Sequence, residues 1–178
     1  LDLDLYLRIA PELYLKRLIV GGYEKVYEMN RSFRNEGISS KHNPEFTMLE
    51  FYQAYATYND LMKITENLLK YVSKEVLGTT VFTYQNEEID FGNSFSKMTL
   101  KEALIKYNDS INKENIEDEN FLKNICKDNN FKLAEGASLG EIQFELFEKT
   151  VEQNLIIPTF ITEYPVEVSP LARVNNDN

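Results

Sequence analysis

Between positions 3 and 9 the chain alternates with a period of two. Leu3, Leu5, Leu7 and Ile9 take the odd places, while Asp4, Tyr6 and Arg8 take the even ones. Such alternation predicts a strand with one buried face. Pro11 then suits a helix start, Leu15, Leu18 and Ile19 supply an apolar stripe, and Gly21 and Gly22 supply a stop. The span 26–55 predicts an antiparallel hairpin whose loop, of under about ten residues, is too short for a helical crossover. If 45–55 is extended, Phe46, Met48, Glu50 and Tyr52 share one face and Thr47, Leu49, Phe51 and Gln53 the other. An acid and a phenol between an aromatic and a thioether make a poor core but a good binding wall, because unpaired polar groups are costly to bury. The greasier odd face is expected to pack on a helix.

Downstream the period changes. Asp60 can cap a helix in which Leu61, Ile64, Leu68, Val72 and Val76 recur at helical spacing, with Gly78 at its end. The span 80–91 reads as two short strands around Gln85, Asn86 and Glu87. Thr99 with Glu102 and Ser138 with Glu141 are capping boxes that open further helices. The span 107–130, rich in Asn, Asp, Glu and Lys, reads as a solvated helical insertion. After the Ser138 helix and its apolar stripe (Leu139, Ile142, Leu146, Val151), the span 158–168 returns to strand-like composition. Pro165 suits an edge or a bend there. The predicted class is α+β: an antiparallel sheet built from the 3–9 strand, the hairpin and the 158–168 segment, with flanking helices on one face.

With 178 residues and 43% hydrophobic content, the chain can bury one sizeable core and fits one domain. No apolar run approaches the roughly 20 residues of a membrane helix, and no basic leader opens the sequence, so a cytoplasmic location without membrane contact is expected. The single cysteine, Cys126, allows no internal disulfide and reads as a helix-face residue. The net charge of -10 argues against a broad nucleic-acid surface. Yet residues 1–50 are nearly balanced, with 7 Lys+Arg against 8 Asp+Glu, so the acidity lies after them.

The stretch FRNEGISSKHNPEFTMLEFY, at 33–52, resembles the second signature motif of class II aminoacyl-tRNA synthetases. With LYLRIAPELYLKRLIVGG at 5–22, it is similar to the lysyl-tRNA synthetases rather than to their aspartyl or asparaginyl cousins. The resemblance implies ATP-dependent activation of lysine and its transfer to tRNA-Lys. That chemistry brings a carboxylate against a phosphate, so it needs a preorganised cation, and the planar fork of an arginine suits it. Carried onto this sequence, the resemblance implies that Arg34 is catalytic and contacts the substrate carboxylate and the α-phosphate. Glu36 would lie at the adenine edge, His42 near the phosphates, Asn43 near the base, and Phe46 would stack on adenine. Glu12 would receive the α-amino group of lysine, Glu50 would join it near the lysine, and Tyr52 would offer its hydroxyl toward the side-chain ammonium. His42 need not act as a general base, because the attacking carboxylate is already ionised at neutral pH.

The resemblance covers the central part of a catalytic domain. Within it, 1–58 would form a strand-helix-hairpin with the second motif, 59–155 a mostly helical segment, and 156–178 a return to the core sheet. A glycine-rich third motif of the GxGxxR type does not occur. The acids that bind magnesium in the family accompany that motif, so no metal ligand is assigned here. The chain is therefore expected to be a fragment, inactive alone, of a homodimeric parent whose RNA grip lies mainly in an N-terminal anticodon-binding barrel. Two other readings stay open: a barrel-less paralogue that attaches lysine to a protein, and a non-catalytic binding fragment.

Overall fold

The computed structural model describes residues 2–39 and 42–175. Two compact units follow each other along the chain, the first ending at Leu61 and the second starting at Met62.

In the first unit, an extended segment leads into helix α1 (Glu12–Val20). The fixed φ of Pro11 presets the first turn, and its carbonyl accepts the N–H groups of Tyr14 and Leu15 at 3.0 and 3.1 Å. The stop is a glycine device: Gly21 N–H donates to the Arg17 carbonyl at 2.8 Å, and Gly22 takes φ +102, which a Cβ would oppose. Strands β1 (Lys25–Phe33) and β2 (Glu45–Gln53) then form the predicted antiparallel hairpin, in register from Lys25 opposite Gln53 to Phe33 opposite Glu45. Their connection, 34–44, is longer than predicted and is closed at its base by Arg34 N–H donating to the Pro44 carbonyl at 2.9 Å.

Two expectations fail in this unit. The 3–9 segment joins no strand, and its odd side chains are exposed, from 66% at Ile9 to 78% at Leu5, as are Asp4 and Tyr6 on the even side. Alternation specifies which side chains share a face, but it cannot supply the sheet that would cover them. The odd face of the hairpin is likewise open: Tyr27 is 75% exposed, Met29 69% and Leu49 44%. The half-buried face is the even one, where Lys16 of α1 lies over the Tyr52 ring. Its polar groups are half-withdrawn from water at little cost because they pair with one another.

The next helix, α2 (Tyr58–Leu77), is capped differently from prediction. Thr57 stands at its head, and Asp60 reaches back to accept the Thr57 N–H at 2.9 Å and its hydroxyl at 2.8 Å. Asp60 is the reciprocal acid of the cap rather than the cap itself.

Within the second unit, β3 (Val81–Tyr84) and β4 (Glu87–Asp90) pair antiparallel around Gln85 and Asn86. Both turn residues have positive φ, the signature of a primed hairpin turn. Thr99 and Ser138 form the predicted capping boxes of α3 (Leu100–Tyr107) and α5 (Leu139–Thr150). Helix α4 (Glu119–Asp128) lies between them in sequence. It corrects the solvated-insertion reading of 107–130, because Ile111, Ile116, Leu122 and Cys126 are all buried in one cluster with Leu100, Leu104, Ile142, Leu146 and Val151. Burial pushes the Cys126 thiol up from its ordinary value, with a smaller contribution from the Glu145 charge. Gln143, buried in this cluster, is satisfied by donating to the Ile116 carbonyl at 2.9 Å.

Strand β6 (Thr159–Thr162) does not extend the first hairpin. It pairs parallel with β5 (Ser96–Thr99), a partner that no local pattern could indicate. The class remains α+β, but among the described residues its sheets are three separate two-stranded pairs. Close approach elsewhere in this unit fixes one residue type. A Cβ on Gly140 would stand 2.6 Å from the Pro165 Cβ and 2.4 Å from Glu167 Oε2. Gly140→Ala is therefore expected to lose about 1–3 kcal/mol through overpacking, against the usual gain of a helical Gly→Ala change. Thermal unfolding reads the difference, and a stabilised variant would show that the 165–167 segment is not seated on α5.

Candidate functional site

All the residues singled out for chemistry belong to the first unit: Phe46, Glu50 and Tyr52 on the even face of β2, Glu12 on α1, and Arg34, Glu36, His42 and Asn43 in the connection between the strands. At the loop end of the hairpin, Arg34 and Phe46 come together. The guanidinium lies 5.2 Å from the ring centroid, and Nε donates to the Ile9 carbonyl at 3.4 Å. Among the described residues no ion pair joins Arg34 to Glu36, which is exposed. Among the described residues the fork of Arg34 is held by an aromatic face and one carbonyl, with no carboxylate paired to it. One face of Phe46 is taken by this cation, so a flat ligand would use the other.

On the connecting loop, Ser39 Oγ and His42 Nδ1 are 2.9 Å apart, and the Asn43 amide donates to the Glu45 carbonyl at 2.7 Å. Both predicted loop residues thus brace the loop. Lys41 lies outside the described residues.

Farther along β2, Tyr52 donates its hydroxyl to Glu50 Oε2 at 2.8 Å. Desolvation first, then that hydrogen bond and the charges of Glu50 and Glu12, push the Tyr52 phenol well above its ordinary value. Tyr52 consequently stays a proton donor toward Glu50. Glu12 pairs with Lys16 one turn along α1, and the same ammonium lies 5.9 Å from the Tyr52 centroid. Glu12, Lys16, Tyr52 and Glu50 form one connected polar wall, as the even-face reading requires. A cavity of about 470 Å³ adjoins it, lined by Lys16, Ile19, Phe51, Tyr52 and Leu61 among others.

Sequence reasoning missed the other side of this wall. Glu28 stands directly across the strands from Glu50, and Arg8 pairs with it. Arg8 Nε also donates to the Arg31 carbonyl at 2.8 Å, and Asn30 donates to Glu28 at 3.2 Å. The bonds from Arg8, then from Asn30, hold the Glu28 carboxyl below its ordinary value. The even placement of Arg8 was a visible signal, but the Glu28–Glu50 register was not. Among the described residues no three His, Cys, Asp or Glu side chains gather as an all-protein metal centre needs. None of their helices is long and apolar enough to cross a membrane.

The antiparallel hairpin thus carries a half-buried arginine over an aromatic ring and, farther along, an acid-and-phenol wall. The chain belongs to the class II tRNA synthetase family (D, K and N), whose sequence model matches residues 2–178. Among its relatives, a lysine-tRNA ligase of Yersinia enterocolitica is 54% identical over 178 residues, covering 100% of this chain and 35% of that protein. A lysine-tRNA ligase of Legionella pneumophila is 55% identical over the same length, covering 36% of that protein. The chain thus spans little more than a third of the relatives it matches.

Proposed function

We propose that this chain is the central part of the catalytic domain of a lysine-tRNA ligase. Within the longer protein, a carboxylate oxygen of lysine attacks the α-phosphorus of ATP, the bond to pyrophosphate breaks, and lysyl-adenylate forms. A terminal ribose hydroxyl of tRNA-Lys then attacks the carbonyl carbon and AMP leaves. The observation that carries this reading is the Tyr52–Glu50–Glu12 wall on the same face as an unneutralised Arg34. The wall presents two carboxylates to a substrate with two ammonium groups, and a buried ammonium demands such partners. Arg34 offers parallel donors where the lysine carboxylate and the phosphate meet, and the charge that develops there strengthens the contact. Phe46 supplies the ring for adenine, with Glu36 and Asn43 at its edges and His42 toward the phosphates. Glu12 can receive the α-amino group once Lys16 yields its place.

The longer protein is read as a cytoplasmic homodimer, with its magnesium ligands in other segments. The 178 residues alone are read as inactive, because the open odd face of the hairpin and the uncovered 3–9 row leave the sheet without cover. Lysine-dependent exchange of pyrophosphate into ATP tests the reading in a version extended in both directions. Exchange is expected with lysine and not with aspartate or asparagine; the reverse preference would overturn it. In that version Glu12→Gln should raise KM for lysine about 10–100-fold, the worth of a hydrogen bond to a charged group, while KM for ATP stays near its original value. Equal loss of both would remove Glu12 from the amino-acid site.

A further inference from the structure

The wall that would receive the substrate's two ammonium groups is already touched by an ammonium of the chain itself. Lys16 Nζ pairs with Glu12 Oε1 one turn away on α1 and lies 5.9 Å from the Tyr52 ring centroid. A carboxylate on one side and an aromatic face on the other are the partners that a bound amino acid's ammonium needs. Glu50, the second acid of the wall, is bonded to the neutral Tyr52 hydroxyl. Among the described residues, Glu12 is therefore the acid of this wall that carries an internal cation.

This pair can open at little cost. The side chains are 53% exposed for Lys16 and 46% for Glu12, and an exposed pair at this helical spacing is weak. Lys16 also lines the cavity of about 470 Å³, whose other walls include Ile19, Val20, Phe51 and Leu61. Its stem can keep apolar contact along that cavity while its charged head stays in water. A second position for the side chain is thus at hand.

We propose that Lys16 is an internal surrogate for the substrate: its ammonium holds the place on Glu12 that the α-amino group takes, and lysine displaces it into the adjoining cavity. This rests on the ligase reading above. One cation is exchanged for another, so Glu12 keeps a partner throughout. The substrate prevails because it brings a second ammonium, which Glu50 and Tyr52 receive. Lys16 accordingly sets the affinity for the amino acid, since only molecules with Glu12 released can bind and the observed constant rises as that fraction falls.

In the extended protein, Lys16→Met removes the competing charge and keeps an unbranched stem. KM for lysine is expected to fall about two- to fivefold, the factor that a weak exposed ion pair is worth, with kcat and KM for ATP little changed. Lys16→Arg keeps a cation on the same turn and should leave KM close to its original value. A rise in KM for lysine in Lys16→Met would show that Lys16 holds Glu12 in place for the substrate, and an unchanged KM would make the pair an ordinary solvated one; either result overturns the proposal. The Lys16 Cε signal, followed by NMR and assigned by its loss in Lys16→Met, gives a readout that needs no ligase activity. Lysine added without ATP should shift it, and the shift should saturate with the affinity that calorimetry measures. A protein that binds no lysine by calorimetry would sink the ligase reading, whereas lysine binding with the Lys16 signal unmoved would sink the role of Lys16.

Discussion

Replacing Arg34 by alanine in the extended protein is expected to slow lysine-dependent pyrophosphate exchange by about 10²–10³-fold, the usual loss when one preorganised donor to a developing charge is removed. The effect should fall on the rate more than on KM for lysine. In the proposed function the substrate ammonium groups meet Glu12, Glu50 and Tyr52, none of which is hydrogen-bonded to Arg34. The guanidinium is held ready by the Ile9 carbonyl and by the Phe46 face, so little reorganisation is needed as the phosphorus becomes five-coordinate. Arg34→Lys keeps a charge but loses the fork, and it should recover only part of the rate. A variant with its rate unchanged would remove Arg34 from the reaction. One in which KM for lysine rises while kcat holds would place Arg34 among the binding groups instead.

Local chemistry was readable along the chain wherever a few neighbouring residues decide the outcome. The glycines ending α1, the Gln85–Asn86 turn and the two capping boxes each act over four or five residues, and each appears where its pattern places it. The even face of β2 was readable for the same reason, since the period of a strand fixes which side chains share a side. What failed depends on partners distant in sequence. The 3–9 alternation has the grammar of a strand but finds no sheet, and β6 finds β5 rather than the first hairpin. Composition misled at 107–130, where Ile111, Ile116, Leu122 and Cys126 are few among polar neighbours yet all turn inward. The opposition of Glu28 and Glu50 depends on register, which a loop of uncertain length leaves open, so the Arg8 pairing emerged only from the folded hairpin.

Leu146→Ala is expected to destabilise the chain by about 2–5 kcal/mol, because its side chain is fully buried and the cavity left behind cannot collapse completely. For a chain of this size that lowers the unfolding midpoint by roughly 5–15 °C. Leu49→Ala, on the open face of the hairpin at 44% exposure, should cost under about 1 kcal/mol, since most of its transfer free energy is not realised. Calorimetry on the two variants separates the cases, and equal losses would mean that the odd face is covered in solution. The contrast follows from where the core sits. Leu100, Leu104, Leu122, Ile142, Leu146 and Val151 form it within the second unit, whereas the first unit buries little beyond Pro11, Leu15 and Ser32. The candidate site is therefore built on the part with the fewest buried side chains and held by charge pairs and hydrogen bonds. Substitutions at Arg34, Glu12 or Lys16 leave the main core intact but each removes a charge pair or hydrogen bond of the first unit, so its circular dichroism has to match the unsubstituted protein before a kinetic effect is read as chemistry.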